Sequence, residues 1–386
     1  MTERGFPAEE FRARVARAQQ RMATADLEAL LLTTEPDVRY FTGFLTRFWE
    51  SPTRPWFLLV PARGDPIAVI PSIGADLMGA AWIEDIRTWV SPNYADDGVG
   101  LLADTLREIV STSGRIGTPS GAETHLRMPL ESWERLSRAL GERKLVTDAD
   151  ILKRLRMTKS EREIAKIRQA CEIANRAFAR TPDIIRAGEP LDRVFRTFQI
   201  ACLQEGADWI AYLSGAAGPG GYGDVISPAT SKPLSPGDVL MLDTGLVWDG
   251  YFCDFDRNFS VGAPDPKTED AYKRLLEASD AAFERAKPGA TTADLFEAMN
   301  QALSGGGGGS AVGRFGHGLG MQLTEPPSLI AEDRQVLEPG MVLTLEPGHE
   351  FEPGRLMVHE ENIVIREHGA EYLSEPAPRR LPRLST

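Results

Sequence analysis

The first part of the chain alternates between two patterns of apolar and polar positions. In some segments apolar residues recur every three to four positions, which predicts amphipathic helices, and in others they form short runs, which predicts buried strands. The predicted helices are residues 11–23, 100–110 and 129–140, and the predicted strands are residues 27–33, 56–60 and 67–70. This mixture of helices and strands indicates an α/β domain with a mixed sheet.

A longer helix is predicted to begin near Thr158. Thr158 would be its N-cap, and Glu161, three residues later, would complete a capping box. Apolar residues keep helical spacing after this start, at Ile164, Ile167, Ala170, Cys171 and Ala174. Two further helices, residues 189–205 and 269–287, are predicted to flank pairs of strands.

Two runs of mostly apolar residues, 239–242 and 251–255, are separated by Asp249 and Gly250. Both runs favour β-strands, and both turn residues accept the positive φ angles of a two-residue hairpin turn. We therefore predict an antiparallel hairpin in which residue i pairs with residue 499 − i.

Three carboxylates interrupt this hairpin. The predicted register places Asp243 opposite Asp256, with Asp254 two residues further along on the same face. Carboxylates that share a face repel one another unless they are protonated, paired with cations or bound to metal. A solvated hairpin with an acidic side is the simpler interpretation, but the apolar neighbours disfavour it. A metal site is the hypothesis that the pattern favours.

Three potential ligands follow downstream beside apolar strand residues or glycines. His317 stands among glycines that let backbone and ligand approach closely. Glu346 follows the apolar run 341–345, and Glu360 lies in the β-like run 357–365. Each residue alone is a weak indication, because a single histidine is more often a hydrogen-bonded core residue and a glutamate at a strand end is usually solvated. The ordered set of two aspartates, a histidine and two glutamates is specific.

Length and composition narrow the possibilities. A chain of 386 residues suits two domains rather than one core. The net charge of −13 and the pI near 5.1 disfavour nucleic acid as a partner. Three scattered cysteines are too few for a disulfide framework, no apolar run reaches membrane-spanning length, and the charged N-terminus lacks an apolar signal core. We expect a soluble cytoplasmic protein.

The ordered ligand set resembles that of the M24 metallopeptidase superfamily, which includes prolidase, aminopeptidase P, methionine aminopeptidase and creatinase. The family pattern consists of two aspartates eleven residues apart, a His-Gly motif, a Glu-Pro-Gly and a final glutamate. It falls on Asp243, Asp254, His317, Glu346 and Glu360. Arg257 also matches the arginine that follows the second aspartate in the family.

This resemblance implies the domain organisation. We expect an α/β (α+β) protein in which a smaller creatinase/prolidase-type domain with a mixed sheet, residues 1–155, precedes a pita-bread catalytic domain, residues 156–386. Similar enzymes use the N-terminal domain to form dimers, so a homodimer is expected.

Four carboxylates and one imidazole form an oxygen-rich site that suits Mn²⁺, Fe²⁺, Co²⁺ or Zn²⁺. Five side chains exceed what one small cation needs, and bridging carboxylates would hold two ions roughly 3.5 Å apart and activate a water as the nucleophile. The resemblance implies that Glu346 is the general base and that Asp254 and Glu360 bridge the ions. Asp243 would bind one ion, and His317 with Glu346 would bind the other.

The surroundings of these ligands depart from the family pattern. The peptidases of the family use two further histidines to stabilise the scissile carbonyl and the tetrahedral intermediate. This chain has no histidine from position 126 to 316, and Thr324 stands at the second position, seven residues after His317. Val358 replaces an arginine of many proline peptidases. Each lost donor would cost peptide hydrolysis roughly 3 kcal/mol.

Three functions therefore stay open. The first is a hydrolase similar to Xaa-Pro peptidases, in which Thr324 and a residue between positions 222 and 230 replace the imidazoles. The second is an enzyme of the same fold that acts on a small non-peptide molecule, like creatinases, ectoine hydrolases and sulfonium-compound lyases. The third is a catalytically silent binding protein, which the complete ligand set disfavours.

Two residues beside Asp254 are further catalytic candidates, together with Glu346 and Thr324. The register places Asp256 on the ligand face, where it would be a fifth acidic group at the metal or the partner of Arg257. A carboxylate bonded only to backbone is the simpler alternative for Asp256. His359 adjoins Glu360 on a strand and is expected to face the other side, in a structural role.

Two loops could bind substrate. One is glycine-rich and contains Tyr222 and Asp224, and the other contains Arg47, Trp49 and Arg54 between prolines. Arginine recognises carboxylates through two hydrogen bonds. An ordinary surface loop and a tryptophan packed on proline are the simpler interpretations.

The glycine run at residues 305–309 is typical of a flexible connection. A phosphate-binding loop is disfavoured because no Gly-Lys-Ser/Thr follows. An engineered linker would have the same composition.

Overall fold

The structure is a computed structural model that describes residues 2–51, 54–304 and 313–386. The glycine run at residues 305–309 lies outside the described residues. The chain divides into two compact units, Glu3–Arg156 and Met157–Thr386, and Thr2 belongs to the second. Within the described ranges, none of the helices is both long and apolar enough to cross a membrane.

The N-terminal unit contains a six-stranded sheet. Its strands are β1 (Ala29–Leu32), β2 (Phe57–Pro61), β3 (Ile67–Pro71), β4 (Asp85–Trp89), β5 (Arg115–Thr118) and β6 (Lys144–Thr147). They lie in the order β4-β3-β2-β1-β5-β6, with β1–β2 and β2–β3 antiparallel and the other pairs parallel. The predicted mixed sheet is confirmed. The sequence pattern missed β4, β5 and β6, because none of them contains a continuous apolar run.

Helices cover this sheet. They are α1 (Ala8–Ala25), α2 (Glu35–Thr42), α3 (Ala75–Gly79), α4 (Val99–Ile109), α5 (Leu130–Ala139) and α6 (Ile151–Met157). Residues of α4 and α5 pack with apolar side chains of β1, β2 and β3 in one core cluster. The three helices predicted here correspond to α1, α4 and α5.

The described part of the second unit contains four helices, α7 (Glu161–Ile184), α8 (Leu191–Glu205), α9 (Pro266–Arg285) and α10 (Thr292–Ser304). The predicted start of α7 was two residues early. Ser160 is the N-cap, and its side chain accepts a hydrogen bond from the backbone of Glu163, whose carboxylate accepts one from the backbone of Ser160. The motif with threonine and glutamate at 158 and 161 has the same spacing, so sequence alone did not separate the two.

Two five-stranded sheets and a two-stranded hairpin lie in the described part of the second unit. The strands are β7 (Trp209–Pro219), β8 (Asp238–Trp248), β9 (Tyr251–Phe252), β10 (Phe255–Val261), β11 (Gly316–Gly318), β12 (Glu325–Ser328), β13 (Val342–Leu345), β14 (Gly348–Glu352), β15 (Arg355–Val358), β16 (Glu361–Arg366), β17 (Gly369–Tyr372) and β18 (Arg383–Leu384). One sheet has the order β18-β10-β8-β7 with β9 beside β8, and the other has the order β12-β11-β13-β16-β17. β14 and β15 form a separate hairpin.

The predicted hairpin register is confirmed. Trp248 pairs with Tyr251, and Asp243 pairs with Asp256, so every pair sums to 499. Asp249 and Gly250 at the turn have φ angles of 49° and 79°. These positive angles match the twist of the flanking strands, which explains why this turn fixes the register.

Candidate metal centre

Asp243 and Asp254 come from the first sheet. Asp243 lies in the middle of β8, all of whose residues are buried. Asp254 lies between β9 and β10, and Asn362 of β16 holds its backbone from the other sheet. The Nδ2 of Asn362 donates to the carbonyl oxygen of Asp254 at 2.5 Å, and its Oδ1 accepts from the backbone N–H of Asp254 at 2.9 Å. The position of Asp254 is therefore fixed by both sheets.

His317 is the central residue of β11, between two glycines that the packing requires. A Cβ at Gly316 would lie 2.2 Å from the carbonyl oxygen of Thr344, and a Cβ at Gly318 would lie 2.3 Å from that of Pro326. The Nδ1 of His317 lies 2.8 Å from the carbonyl oxygen of Gly318. With the proton on Nδ1 donated to this oxygen, Nε2 is left as the ligand atom, and the ring orientation is set.

Glu346 and Glu360 lie at the two ends of the β14–β15 hairpin. Glu346 directly follows β13, and its backbone N–H donates to the carbonyl oxygen of Phe315 at 2.9 Å. Glu360 lies between β15 and β16, and its backbone N–H donates to Oδ1 of Asp256 at 2.6 Å. One hairpin thus connects two of the candidate ligands.

The structure brings the five predicted ligands together in two trios. Asp254, His317 and Glu346 form one trio, and Asp243, Asp254 and Glu360 form the other, with the ligand atoms of each trio within 4.8 Å of one another. Asp254 belongs to both. Among the residues that the structure describes, Oδ1 of Asp243 and Oε2 of Glu360 are buried without a hydrogen-bond partner, which is costly unless a cation satisfies them. The donor set therefore fits divalent metal ions.

The charges of the two trios differ. Burial raises the pKa of Asp243 and Glu360 well above the usual range, and the neighbouring carboxylates raise it further. Burial also raises the pKa of Asp254 to about 6, although His317 opposes this. Without a cation, these carboxylates therefore favour protonation.

The other trio contains its own ion pair. Nε2 of His317 lies 2.7 Å from Oε1 of Glu346 and 3.3 Å from Oδ2 of Asp254. Burial alone lowers the pKa of His317, but the two carboxylates more than offset this and raise it to about 10. Burial acts to raise the pKa of Glu346, but His317 and Arg314 lower it below the usual range. Glu346 is therefore ionised near neutral pH.

Asp256 lies behind Glu360 and outside both trios. Its side chain is fully buried, its Oδ1 accepts from the backbone of Glu360, and its Oδ2 accepts from Nδ2 of Asn258 at 2.7 Å. The simpler alternative, a carboxylate bonded only to backbone, does not hold because Asn258 also binds it. Asp256 faces Asp243 as the register predicted, and its contact with Glu360 connects it to a ligand.

The predicted pairing of Arg257 with the Asp256 carboxylate is wrong. Adjacent residues on β10 point to opposite faces, so Nη1 of Arg257 reaches only the backbone oxygens of Asp256 and Glu360, and Nη2 donates to Oε2 of Glu361 at 3.0 Å. Burial would raise the pKa of Glu361, but Arg257 and His359 lower it to about 2. His359 is buried, with Nε2 3.3 Å from Oε1 of Glu361. Arg257 and His359 therefore belong to a charge cluster behind the ligands.

The glycine-rich loop does not offer its two predicted residues to a ligand. Tyr222 is buried, and its hydroxyl donates to Oδ1 of Asn258 at 3.1 Å and accepts from the backbone N–H of Val358 at 2.7 Å. Asp224 is exposed, and its carboxylate accepts from the backbone N–H groups of Ile226 and Ser227. Asp224 stabilises its own turn, and Tyr222 is packed in the core. The predicted substrate-binding roles of both residues are therefore corrected.

The predicted arginine–tryptophan loop packs within the N-terminal unit. Trp49 is buried, with ring centroids 6.4 Å from Phe44 and 5.5 Å from Trp56. Arg47 forms an exposed ion pair with its neighbour Glu50. The guanidinium of Arg54 lies 5.5 Å from the ring of Phe48. Trp49 is therefore a core residue and not a binding wall, whereas the two arginines remain near the surface.

Sequence reasoning missed residues that face the ligands. Tyr212 pairs with Gly245 on the face that carries Asp243, and a Cβ at Gly245 would lie 2.2 Å from Cδ1 of Leu323 and 3.1 Å from Cβ of Tyr212. Burial and the charge of Asp243 raise the pKa of Tyr212 above its usual range. The bulge between Ile210 and Tyr212 on β7 shifts the register there, so counting along the strand could not place Tyr212.

Thr324 contacts a second residue that sequence reasoning missed. Nη2 of Arg314 lies 3.4 Å from Oγ1 of Thr324 and donates to it. Both side chains are partly exposed. A basic residue three positions before His317 was the only available signal for Arg314, and it does not indicate where the guanidinium points.

Comparison with known proteins agrees with this geometry. The family model of metallopeptidase family M24 matches residues 165–367, and that of the creatinase/prolidase N-terminal domain matches residues 14–158. The probable dipeptidase PepE of Mycobacterium tuberculosis is 33% identical over 371 residues, which cover 95% of this chain and 94% of that protein. The Xaa-Pro dipeptidase of Pyrococcus furiosus is 31% identical over 229 residues, which cover 58% of this chain and 65% of that protein.

Solved structures of similar peptidases have the same fold. The dipeptidase PepE from Mycobacterium ulcerans has a TM-score of 0.85 at 27% identity, with 99% of this chain and 100% of that chain covered. The X-Pro aminopeptidase from Thermotoga maritima has a TM-score of 0.81 at 26% identity, with coverage of 96% and 99%. The expected fold, a creatinase-type domain followed by a pita-bread domain, is confirmed. This chain is a metallohydrolase that belongs to metallopeptidase family M24.

Proposed function

We propose that this protein is a dipeptidase that requires two divalent metal ions. The observation that carries the proposal is the pair of trios that share Asp254, with the partnerless oxygens of Asp243 and Glu360 in one of them. Two cations would neutralise the four ligand carboxylates. Similarity to dipeptidase PepE over nearly the full length of both chains supports a short peptide as the substrate.

The five ligands would divide between the ions according to the trios. Asp254 would contribute to both, His317 and Glu346 to one, and Asp243 and Glu360 to the other, and the bridging role that the resemblance implies for Glu360 stays a prediction. Bound ions would supply Lewis acidity, which polarises a carbonyl and lowers the pKa of water. Glu346 is the proposed general base, because its ionised carboxylate can take the proton of the attacking water and return it to the leaving amine.

Asp256 and Arg257 are proposed as positioning residues. Asp256 holds the backbone of Glu360, and Asn258 fixes the orientation of the Asp256 carboxylate. Arg257 binds the carbonyl oxygen of Glu360 and the carboxylate of Glu361. Substitution of residues that hold metal ligands in place commonly lowers metal affinity or activity 10- to 100-fold.

A small non-peptide substrate is the second candidate. It is favoured by Thr324, because a threonine hydroxyl that accepts from Arg314 differs chemically from the imidazole that peptidases of the family have at this position. A catalytically silent binding protein is disfavoured, because all five ligands are present and close together. A homodimer and a cytoplasmic location stay predictions from the sequence.

Activity screening of the metal-reconstituted protein tests the proposal. The full chain is stripped with chelator, reloaded separately with Mn²⁺, Co²⁺, Zn²⁺ or Fe²⁺, and assayed on four substrate groups. These are dipeptides with and without proline, longer peptides that begin Xaa-Pro, creatine-like compounds, and cyclic amidines. We expect metal-dependent cleavage of dipeptides, and Glu346→Gln should lower kcat. Cleavage confined to the last two groups would replace the proposal with the second candidate, and binding without turnover would favour the third.

A further inference from the structure

The candidate metal centre presents many oxygen anions to its surroundings. Asp243, Asp254, Glu346 and Glu360 all carry ligand oxygens within the two trios. Two divalent ions would only balance these four charges, so no excess positive charge is left for a further anion. A dipeptide carries a free carboxylate, which needs its own cation or donors when it leaves water.

Arg314 is a cation beside this centre. Burial has the largest effect on the pKa of Asp254 and Glu346 and raises it, and Arg314 is among the groups that oppose this. Arg314 also stands three residues before the candidate ligand His317, and its contact with Thr324 joins the segments that precede β11 and β12. Arg314 is partly exposed, in contrast to Arg257, which is buried against Glu361.

The hydroxyl group of Thr324 orients the guanidinium of Arg314. Its Oγ1 accepts from Nη2 of Arg314 at 3.4 Å, and the neighbouring Leu323 lies against Gly245 on the strand face that carries Asp243. Leu323 and Tyr212 thus form a wall beside the ligands, and Thr324 adjoins that wall in the chain. This contact holds Arg314 at the side of the centre where β11 and β12 meet.

We propose that Arg314, oriented by Thr324, binds the free carboxylate of the dipeptide and thereby selects substrates with a charged C-terminus. This inference rests on the proposed dipeptidase function and specifies its substrate class. A guanidinium matches a carboxylate through two parallel hydrogen bonds, whereas an ammonium or an amide does not. In this role the guanidinium of Arg314 contacts the substrate and is not a metal ligand.

The test compares dipeptides with their C-terminal amides. Wild type, Arg314→Gln, Arg314→Lys and Thr324→Val are assayed on alanyl dipeptides in both forms, with metal content measured for each protein. Arg274→Gln is the matched control, because Arg274 forms an exposed pair with Asp270 one helical turn away on α9. Wild type should prefer the free acid. Arg314→Gln should lower kcat/KM for the free acid at least tenfold, mainly through KM, and change that for the amide less than threefold.

Two variants with smaller expected effects test the role of Arg314 further. Arg314→Lys should recover part of the preference because it keeps the charge, and Thr324→Val should lose a smaller part because only the orientation changes. Arg274→Gln should behave as wild type. Equal losses on both substrate forms, or a loss of metal from Arg314→Gln, would overturn the proposal and assign Arg314 to the reacting carbonyl or to the ligands.

A binding measurement separates this inference from the proposed function. Calorimetry with alanyl-alanine whose peptide bond is replaced by a methylene-amine, and with the amide of that compound, does not depend on turnover. A wild-type preference for the acid that Arg314→Gln abolishes supports the inference even if no dipeptide is cleaved, in which case only the proposed function fails. A wild-type protein with no such preference, in binding and in turnover, refutes the inference.

Discussion

The two halves of the candidate metal centre reach charge balance in different ways. In one half, His317 and Glu346 form an ion pair, so a positive charge is built into the chain. In the other half, Asp243 and Glu360 have only carboxylate neighbours among the ligands, and each leaves an oxygen without a partner. The first half can balance its charges within the folded chain, whereas the second needs either protonated carboxyl groups or a bound cation. Metal binding should therefore stabilise the second half more.

Asp254→Ala should have the largest effect, because Asp254 is the residue that the two halves share. We expect the affinity for metal to fall more than about 100-fold, since changes behind the ligands alone cost 10- to 100-fold. Elemental analysis after gel filtration measures the bound metal, and catalysis should be lost with it. An Asp254→Ala protein with wild-type metal content would mean that the trios do not bind the ions.

Substitution of one acid in each half of the metal-free protein tests the comparison directly. Glu346→Gln removes the partner of His317 and should destabilise the fold by about 3 kcal/mol, the usual cost of breaking a buried pair. Asp243→Asn removes a repelled carboxylate and should stabilise the fold by a smaller amount. Denaturant unfolding in the presence of chelator gives both changes. Effects of the same sign would show that the halves do not differ in the proposed way.

Asp256→Asn should weaken metal binding roughly tenfold, or about 1.4 kcal/mol, because the charge behind Glu360 is lost while the shape is kept. Competition with a fluorescent chelator measures this affinity. Asp224→Asn is a suitable control, since Asp224 is an exposed acid that binds only its own turn. Equal affinities of wild type and Asp256→Asn would limit Asp256 to packing.

The thermal stability of the metal-free protein should fall as the pH rises from about 5 to 8. Burial raises the pKa of Asp254 to about 6 and that of Asp256 to about 7 in the folded state. A carboxyl group with a raised pKa contributes stability that is present at low pH and is lost as the pH rises through the folded value. The raised pKa of His317, about 10, acts in the same direction. Melting curves with chelator and with saturating metal should therefore diverge, and parallel curves would contradict the charge assignment.

The sequence predicted the features that depend on neighbours along one strand or turn. The pairing of Asp243 with Asp256 follows from the turn at Asp249 and Gly250, and the five ligands follow from motif and resemblance. Contacts between distant segments could not be predicted this way. Arg257 binds Glu361, 104 positions away, because the two sheets approach each other. Trp49, which has loop-like neighbours, is a core residue because the rings of Phe44 and Trp56 pack against it.

The side-chain partners of the residues around the candidate ligands could not be predicted from the sequence either. Arg314 is three positions from His317, but its contact with Thr324 depends on how β12 returns beside β11. The start of α7 could not be fixed from the sequence either. Two capping motifs of equal spacing begin at Thr158 and Ser160, and only the structure shows that Ser160 is the N-cap. Periodicity identifies elements, whereas side-chain partners require the tertiary arrangement.

The amide of Asn362 acts as a side-chain substitute for one step of a β-ladder. It donates to and accepts from the same residue, Asp254, as a backbone partner in a sheet would. Aspartate at this position would lack the donor, and leucine would lack both groups, so only an amide preserves the pattern. The position of Asp254, which belongs to both trios, is therefore set by one side chain that joins the sheets. Lengthening that side chain by a methylene, as in Asn362→Gln, would be a way to move Asp254 relative to the other four candidate ligands while every ligand is kept.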